Sequence, residues 1–187
     1  MTETTTTQAL TDVAGDYTLD TAHSRLGFVA RHAVVTKVRG QFADWTGTAH
    51  IDTANPAASS VNLVIKPASV STGNADRDGH LASPDFFDVE SFPEWTFAST
   101  EVSRDGTAWT ITGDLTIKGV TVPVTIDFEE NGSAKDPFGN VRVGFEGSVT
   151  VNRKDWGLTW NAALETGGVL VSEKIKLEFD ISAIRNA

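Results

Sequence analysis

The sequence predicts an all-β protein built from eight long antiparallel strands and one short helix. Apolar and polar residues alternate over most of the chain, which is typical of strands that bury one face. Dipeptides that favour tight hairpin turns, such as Asp105-Gly106, separate several of these segments. One long stretch, Ser69–Phe92, lacks the alternation. Because closure removes exposed strand edges, this pattern favours a closed barrel or a strongly curved sandwich.

The first strands are predicted in the N-terminal third of the chain. An extended segment at 17–20 precedes a strand in which Leu26, Phe28 and His32 fall on one face. A long strand over Lys37–Asp52 follows, and the two glycines inside it predict a bulge or a corner.

The remaining strands follow the same period of two. Hairpin turns are predicted at Asp105-Gly106, Lys118-Gly119 and Asn131-Gly132. The alternating segments lie at 61–65, 95–105, 109–117, 120–128, 141–151 and 175–181.

The stretch Ser69–Phe92 contains the predicted helix. Asn74 is suited to cap its N-terminus, and Asp76 and Asp78 then fall in the first turn, where carboxylates interact favourably with the helix dipole. Pro84 predicts the end of the helix near residue 83.

Two interpretations of this stretch stay open at the level of sequence. A capped helix followed by Phe86-Phe87 usually covers one end of a core. Alternatively, Arg77 and His80 lie on one helix face and hold the polar end of a ligand. Arg77 is equally suited to pair with a nearby carboxylate such as Asp76.

Length and composition indicate one domain. The chain has 187 residues, of which 40% are hydrophobic. We predict a disordered, threonine-rich tail over residues 1–15 and a single barrel domain over 16–187. Neither a secretory leader nor an apolar segment of spanning length is evident, so we predict a cytoplasmic location and no stable membrane insertion.

Charge and residue types argue against several classes of function. The net charge of −10 predicts repulsion from nucleic acids and anionic membranes. The absence of cysteine excludes disulfides and thiolate metal sites, and the four histidines lack metal-binding spacing. No nucleophile elbow or phosphate loop is present, and helix capping and turns explain the clustered carboxylates of 76–94. We therefore predict no catalytic residues, no metal and no cofactor.

Several segments taken together identify a family resemblance. They are YTLDTAHSRLGFVARH (17–32), GQF (40–42), SSVNLVIKPASVSTG (59–73), DRDGHLASPDFFDVESFPEWTF (76–97), GDLTIKGVTVPVTI (113–126) and VNRKDWGL (151–158). In this order they resemble the YceI-like family, lipocalin-like polyisoprenoid-binding proteins. The resemblance implies an eight-stranded lipocalin-like barrel around a central hydrophobic channel that holds a long isoprenoid or similar amphiphilic lipid, without catalysis.

The chain departs from the family in two respects. Many members are exported, whereas no leader is evident here. The usual Arg-x-x-Phe-Gly motif reads Arg153-Lys154-Asp155-Trp156-Gly157, which places a larger aromatic side chain at one end of the channel. Arg153 and Trp156 are therefore candidate ligand-binding residues.

The predicted ligand is an isoprenoid, quinone or fatty-acid-like lipid, and a homodimer is a further expectation. An alternative function is a small isomerase or hydrolase that acts on an apolar substrate in the same pocket. The candidate ligand-binding residues are Phe28, His32, Phe42, Arg77, His80, Phe86, Phe87, Trp95, Phe97, Arg153 and Trp156.

Overall fold

The computed structural model describes residues 12–164 and 168–186. Most of the tail predicted over residues 1–15 lies outside the described residues. At its described end, Val13 is buried and its carbonyl oxygen accepts a 2.7 Å hydrogen bond from the hydroxyl of Tyr17. Contacts with the barrel therefore begin before residue 16.

The described residues form eleven strand segments and one α-helix. The strands are β1 (Gly15–Leu19), β2 (Arg25–His32), β3 (Thr36–Phe42), β4 (Trp45–Ile51), β5 (Ser60–Ile65), β6 (Val70–Ser71), β7 (Trp95–Asp105), β8 (Ala108–Ile117), β9 (Val120–Lys135), β10 (Val141–Asn152) and β11 (Lys174–Arg185), and the helix is α1 (Ala75–Ala82). No helix in this part of the chain is long and apolar enough to cross a membrane.

Eight of the strands close into an antiparallel barrel, as predicted. They pair in the order β1-β4-β5-β7-β8-β9-β10-β11, and β11 returns to pair with β1. The other three extend the barrel at one end, because β2 pairs with the first half of β11, β3 with β2, and β6 with β3. The hairpins predicted at Asp105-Gly106 and Lys118-Gly119 connect β7 to β8 and β8 to β9.

The long strand predicted over 37–52 is interrupted at Ala43-Asp44, between β3 and β4. Its glycines are not corners, so that prediction was wrong. A Cβ atom on Gly40 would lie 2.3 Å from the ring of Phe28, and one on Gly47 would lie 2.6 Å from Leu19. Both glycines instead make room for large side chains that cross the sheet surface.

The turn predicted at Asn131-Gly132 was also wrong. Strand β9 continues through this dipeptide, and the pairing with β10 shifts by one residue opposite Gly144 and Phe145. Gly132 has φ 118°, which accommodates the resulting bulge. The reversal comes later, where the carboxylate of Asp136 accepts a 3.0 Å hydrogen bond from the Asn140 amide.

Helix α1 forms as predicted. The Asn74 side chain accepts a 3.0 Å hydrogen bond from the amide of Arg77, and Asp76 and Asp78 lie in the first turn. The helix ends at Ala82, two residues before the proline. The following segment packs against the end of the barrel where β2 and β3 extend it, and this end is called the helix end below.

Candidate binding cavity

The interior of the barrel contains a cavity that its side chains leave unfilled. The space that the centre of a water molecule can reach is about 150 Å³. Cavities lined by aliphatic and aromatic groups stay dry and take up apolar molecules. The apolar residues that line it are Leu19, Leu26, Phe42, Ala49, Ile51, Val61, Leu63, Ile65, Trp95, Phe97, Val102, Trp109, Ile111, Leu115, Ile117, Ile126, Phe128, Phe145, Leu177, Phe179, Ile181 and Ala183.

The polar side chains of the lining lie together where β4 ends and β5 begins. They are His50, Ser59 and Ser60. The His50 ring pairs with Asp16 at 2.7 Å, and both side chains are well exposed. His50 is the one titratable side chain in the described lining, and it lies at the exposed rim. The interior of the cavity therefore presents no acid or base of its own.

Four aromatic rings close the helix end of the cavity. The ring of Trp95 lies 5.0 Å from that of Phe42 and 4.7 Å from that of Phe87, and Phe28 packs on Phe42 at 5.7 Å. Phe42 and Trp95 border the cavity, and Phe28 and Phe87 support them from behind. The indole nitrogen of Trp95 is buried and has no hydrogen-bond partner within the described residues.

Phe86 belongs to a separate aromatic cluster. Its ring lies 5.1 Å from that of His80 and 5.3 Å from that of Trp160, and His80 lies 4.6 Å from Trp160. The Nε2 atom of His80 lies 2.9 Å from the carboxylate of Asp85. The neighbours Phe86 and Phe87 therefore cover different parts of the helix end, and neither lines the cavity.

Arg77 points to the segment before its own helix. Its Nε donates to the hydroxyl of Thr72 at 2.8 Å, and its Nη2 donates to the Thr72 carbonyl at 2.8 Å. The Thr72 hydroxyl in turn donates to Asp78. These local bonds favour a structural role for Arg77, which does not border the cavity, and its ligand-binding role stays a prediction.

Arg153 and Trp156 lie in a short 3-10 turn after β10, and both are buried. The indole of Trp156 donates to the carbonyl of Leu115 at 2.9 Å. Burial lowers the pKa of the Arg153 guanidinium. The guanidinium donates to three carbonyl oxygens, those of Leu158, Val171 and Ser172. The turn thus fastens the connection between β10 and β11 to the barrel.

Three of the eleven predicted contacts border the cavity, namely Phe42, Trp95 and Phe97. His32 ends β2 and is exposed. The sequence prediction concentrated on aromatic and charged residues and missed the aliphatic lining, for example Leu63 and Leu177. These aliphatic residues occupy the inward positions of the alternating strands, and that pattern is visible in the sequence. Within the described residues no group of three His, Cys, Asp or Glu side chains is placed to hold a metal ion.

Comparison with known proteins identifies the family. The model of the YceI-like domain matches residues 17–183. The chain belongs to the YceI-like family. This YceI-like protein is 42% identical over 146 residues to a UPF0312 protein of Photorhabdus laumondii, covering 77% of this chain and 76% of that one. It is 36% identical over 175 residues to a UPF0312 protein of Yersinia enterocolitica, covering 92% and 88%.

Solved structures share the fold of this YceI-like protein. BcnA of Burkholderia cenocepacia has a TM-score of 0.77 and 23% identity, covering 88% of this chain and 98% of that one. The YceI protein of Campylobacter jejuni has a TM-score of 0.72 and 30% identity, covering 84% and 90%. A domain from Saccharophagus degradans, described as a polyisoprenoid binding domain, has a TM-score of 0.64 and 17% identity, covering 91% and 98%.

Proposed function

We propose that this protein binds a long apolar or amphiphilic lipid in its barrel cavity and stores or carries it without chemical change. The observation that carries the proposal is an unfilled cavity whose described lining is apolar except for three residues at one end. An eight-stranded barrel is either filled by its own side chains or holds one small apolar ligand, and this barrel is not filled.

The apolar lining favours a ligand of isoprenoid, quinone or fatty-acid type. Each CH₂ group that leaves water for such a cavity contributes roughly 0.8 kcal/mol, before the cost of ordering the chain. We propose Phe42, Trp95 and Phe97 as direct contacts with the chain, and Phe28 and Phe87 as the support for the first two. The polar end of a ligand would lie near His50 and the two serines.

The polyisoprenoid description of the Saccharophagus domain agrees with this proposal. At 17% identity that likeness supports the fold alone, so the ligand class here rests on the chemistry of the cavity. The predicted cytoplasmic location and homodimer stay predictions.

The alternative of an isomerase or hydrolase lacks comparable support. Either reaction needs an acid, a base or a nucleophile that faces the substrate inside the pocket. In the described lining His50 is the one side chain with acid-base chemistry, and it pairs with Asp16 at the exposed rim. We therefore propose a non-catalytic protein.

The proposal is tested by extracting the protein, purified from its own host without detergent, with organic solvent. Mass analysis is expected to find a lipid with a long apolar chain in a fixed ratio to protein. A variant in which Leu63 and Leu177 are both replaced by Trp fills the cavity and is expected to carry less lipid. Equal lipid in both proteins would indicate binding elsewhere, and failure of the delipidated protein to bind any added lipid would overturn the proposal.

A further inference from the structure

The hairpin formed by β2 and β3 presents an exposed aliphatic tip. Val34 is 68% exposed and Val35 is 81% exposed, and Val169 of the neighbouring connection is 41% exposed. These three residues are called the valine tip. Ala33 and Val34 have φ of 52° and 66°, a conformation that residues other than glycine rarely adopt and that is least favourable for a β-branched residue such as Val34. Such strain persists where the surrounding structure holds it, and it is concentrated at functional sites.

The tip is held in place by hydrogen bonds to the connection between β10 and β11. The amide of Ala33 donates to the carbonyl of Leu170 at 2.8 Å. The amide of Ser172 donates to the carbonyl of Arg31 at 3.0 Å, and the Arg31 amide donates to the Ser172 hydroxyl at 2.9 Å. The backbone therefore presents the valines to solvent in a defined arrangement.

The outer surface beside the tip is strongly basic. Arg31 lies directly opposite Lys37 in the strand register, and Arg39 lies in one row with Val29 and Lys176. Paired residues project on the same side of a sheet, and like charges in direct opposition destabilise it. The basic face consists of Arg31, Lys37, Arg39, Lys174 and Lys176, all exposed.

The nearby carboxylates do not neutralise this face. Glu173 pairs with Lys154 at 2.7 Å, and Glu178 lies 4.0 Å from Arg25. Within the described residues no carboxylate forms an ion pair with any of the five cations of the basic face. No Asp or Glu occurs in the sequence between Asp20 and Asp44. The net charge of −10 thus conceals a concentrated positive surface.

We propose that the valine tip and the basic face form a docking surface for an anionic membrane. Exposed aliphatic side chains beside clustered cations are the two elements of reversible interfacial binding. The negative charge on the rest of the chain turns the other surfaces away from an anionic leaflet, so the protein docks in one orientation. An acidic protein would account for the cations but leaves the exposed valines unexplained.

This orientation brings the helix end of the cavity to the membrane. Phe28 lies on the inner side of the same hairpin and packs against Phe42, which borders the cavity. A lipid carrier must exchange its cargo with a bilayer, so the choice of a membrane as partner rests in part on the proposed function. The docking surface itself is tested without any cargo.

The test measures sedimentation of the full chain with vesicles of phosphatidylcholine alone or with 30% phosphatidylglycerol. We expect binding to the anionic vesicles, weakened by 0.5 M salt, and at least ten-fold weaker binding to neutral vesicles. Each cation near an anionic leaflet contributes roughly five-fold in affinity. The triple variant R31Q/K37Q/R39Q is therefore expected to lose about 100-fold.

Two further variants separate the contributions. The variant V35S keeps the charges and is expected to weaken binding to anionic vesicles several-fold. The matched control is K135Q/F138S at the turn between β9 and β10, which removes one cation and a phenylalanine that is 89% exposed, and it is expected to bind as the wild type does. Thermal melting of each variant verifies that it is folded.

Several results would overturn the docking proposal. They are equal binding to neutral and anionic vesicles, equal losses in the control and in the hairpin variants, and no binding to vesicles by a protein that binds soluble polyglutamate. The last result would assign the surface to an acidic protein. Because the vesicles carry no added cargo, failure here leaves the lipid-binding proposal standing, and a protein that docks but carries no lipid would leave the docking surface standing.

Discussion

Filling the cavity from within tests whether the space is available to a ligand. Ala49 of β4 faces inward, is half-buried and borders the cavity. Replacement by Leu adds three carbons, and at roughly 0.8 kcal/mol per carbon their burial contributes about 2.4 kcal/mol, which offsets local strain. We therefore expect a free energy of unfolding within about 1 kcal/mol of the wild type. A ligand that loses the same contacts is expected to bind about fifty-fold more weakly.

The control is Val143 of β10, which is 0% exposed and does not border the cavity. Phenylalanine at this position overpacks a filled region, which typically costs about 1–3 kcal/mol. Urea denaturation gives both free energies, and titration of each delipidated variant with a long-chain lipid gives the affinities. Similar destabilisation by the Ala49→Leu and Val143→Phe substitutions, or unchanged binding by Ala49→Leu, would refute the assignment of this space to the ligand.

Three other predictions test the structure around the site. The Trp156→Phe variant loses a buried hydrogen bond, whereas Trp95→Phe loses an indole nitrogen that has no described partner. Urea denaturation is therefore expected to show Trp156→Phe about 1–3 kcal/mol less stable than Trp95→Phe. Equal stabilities would contradict the presence of the hydrogen bond at Trp156 and its absence at Trp95. Asn74→Ala removes the helix cap and is expected to cost about 1 kcal/mol with lipid binding unchanged, and a selective loss of binding would show that the helix touches the ligand. A hydrogen bond from Arg142 lowers the pKa of Asp136 from 3.8 to about 2, so this pair stabilises the fold above pH 4 and loses its effect as the pH falls toward 2. The stability difference between the wild type and Arg142→Met should shrink over that interval, and a constant difference would contradict the pairing.

The barrel was predictable because its signals are local. Alternation locates the strands, and the hairpin at Asp105-Gly106 and the cap at Asn74 follow from the conformational preferences of those residues. The dipeptide Asn131-Gly132 misled because the positive φ that suits a tight turn also suits a bulge, and the pairing partner decides between them.

The site was less predictable because its residues converge from distant strands. Which inward side chains fill the barrel and which border a void depends on their combined volumes, and no single segment of sequence carries that information. Arg77 is an example of a residue whose contacts could not be predicted from its motif. Its motif suggested a contact with the ligand, whereas its guanidinium reaches back to Thr72, and the conformation of the segment before the helix determines this.

The central claim is that the barrel cavity binds an apolar chain, and titration of the delipidated protein with neutral polyprenols of increasing length tests it most directly. Trp95 and Trp109 both border the cavity, so their fluorescence reports its occupancy. We predict saturable binding whose affinity rises with each isoprene unit and then levels off once the chain exceeds the cavity. Absence of binding by both short and long polyprenols would contradict the claim.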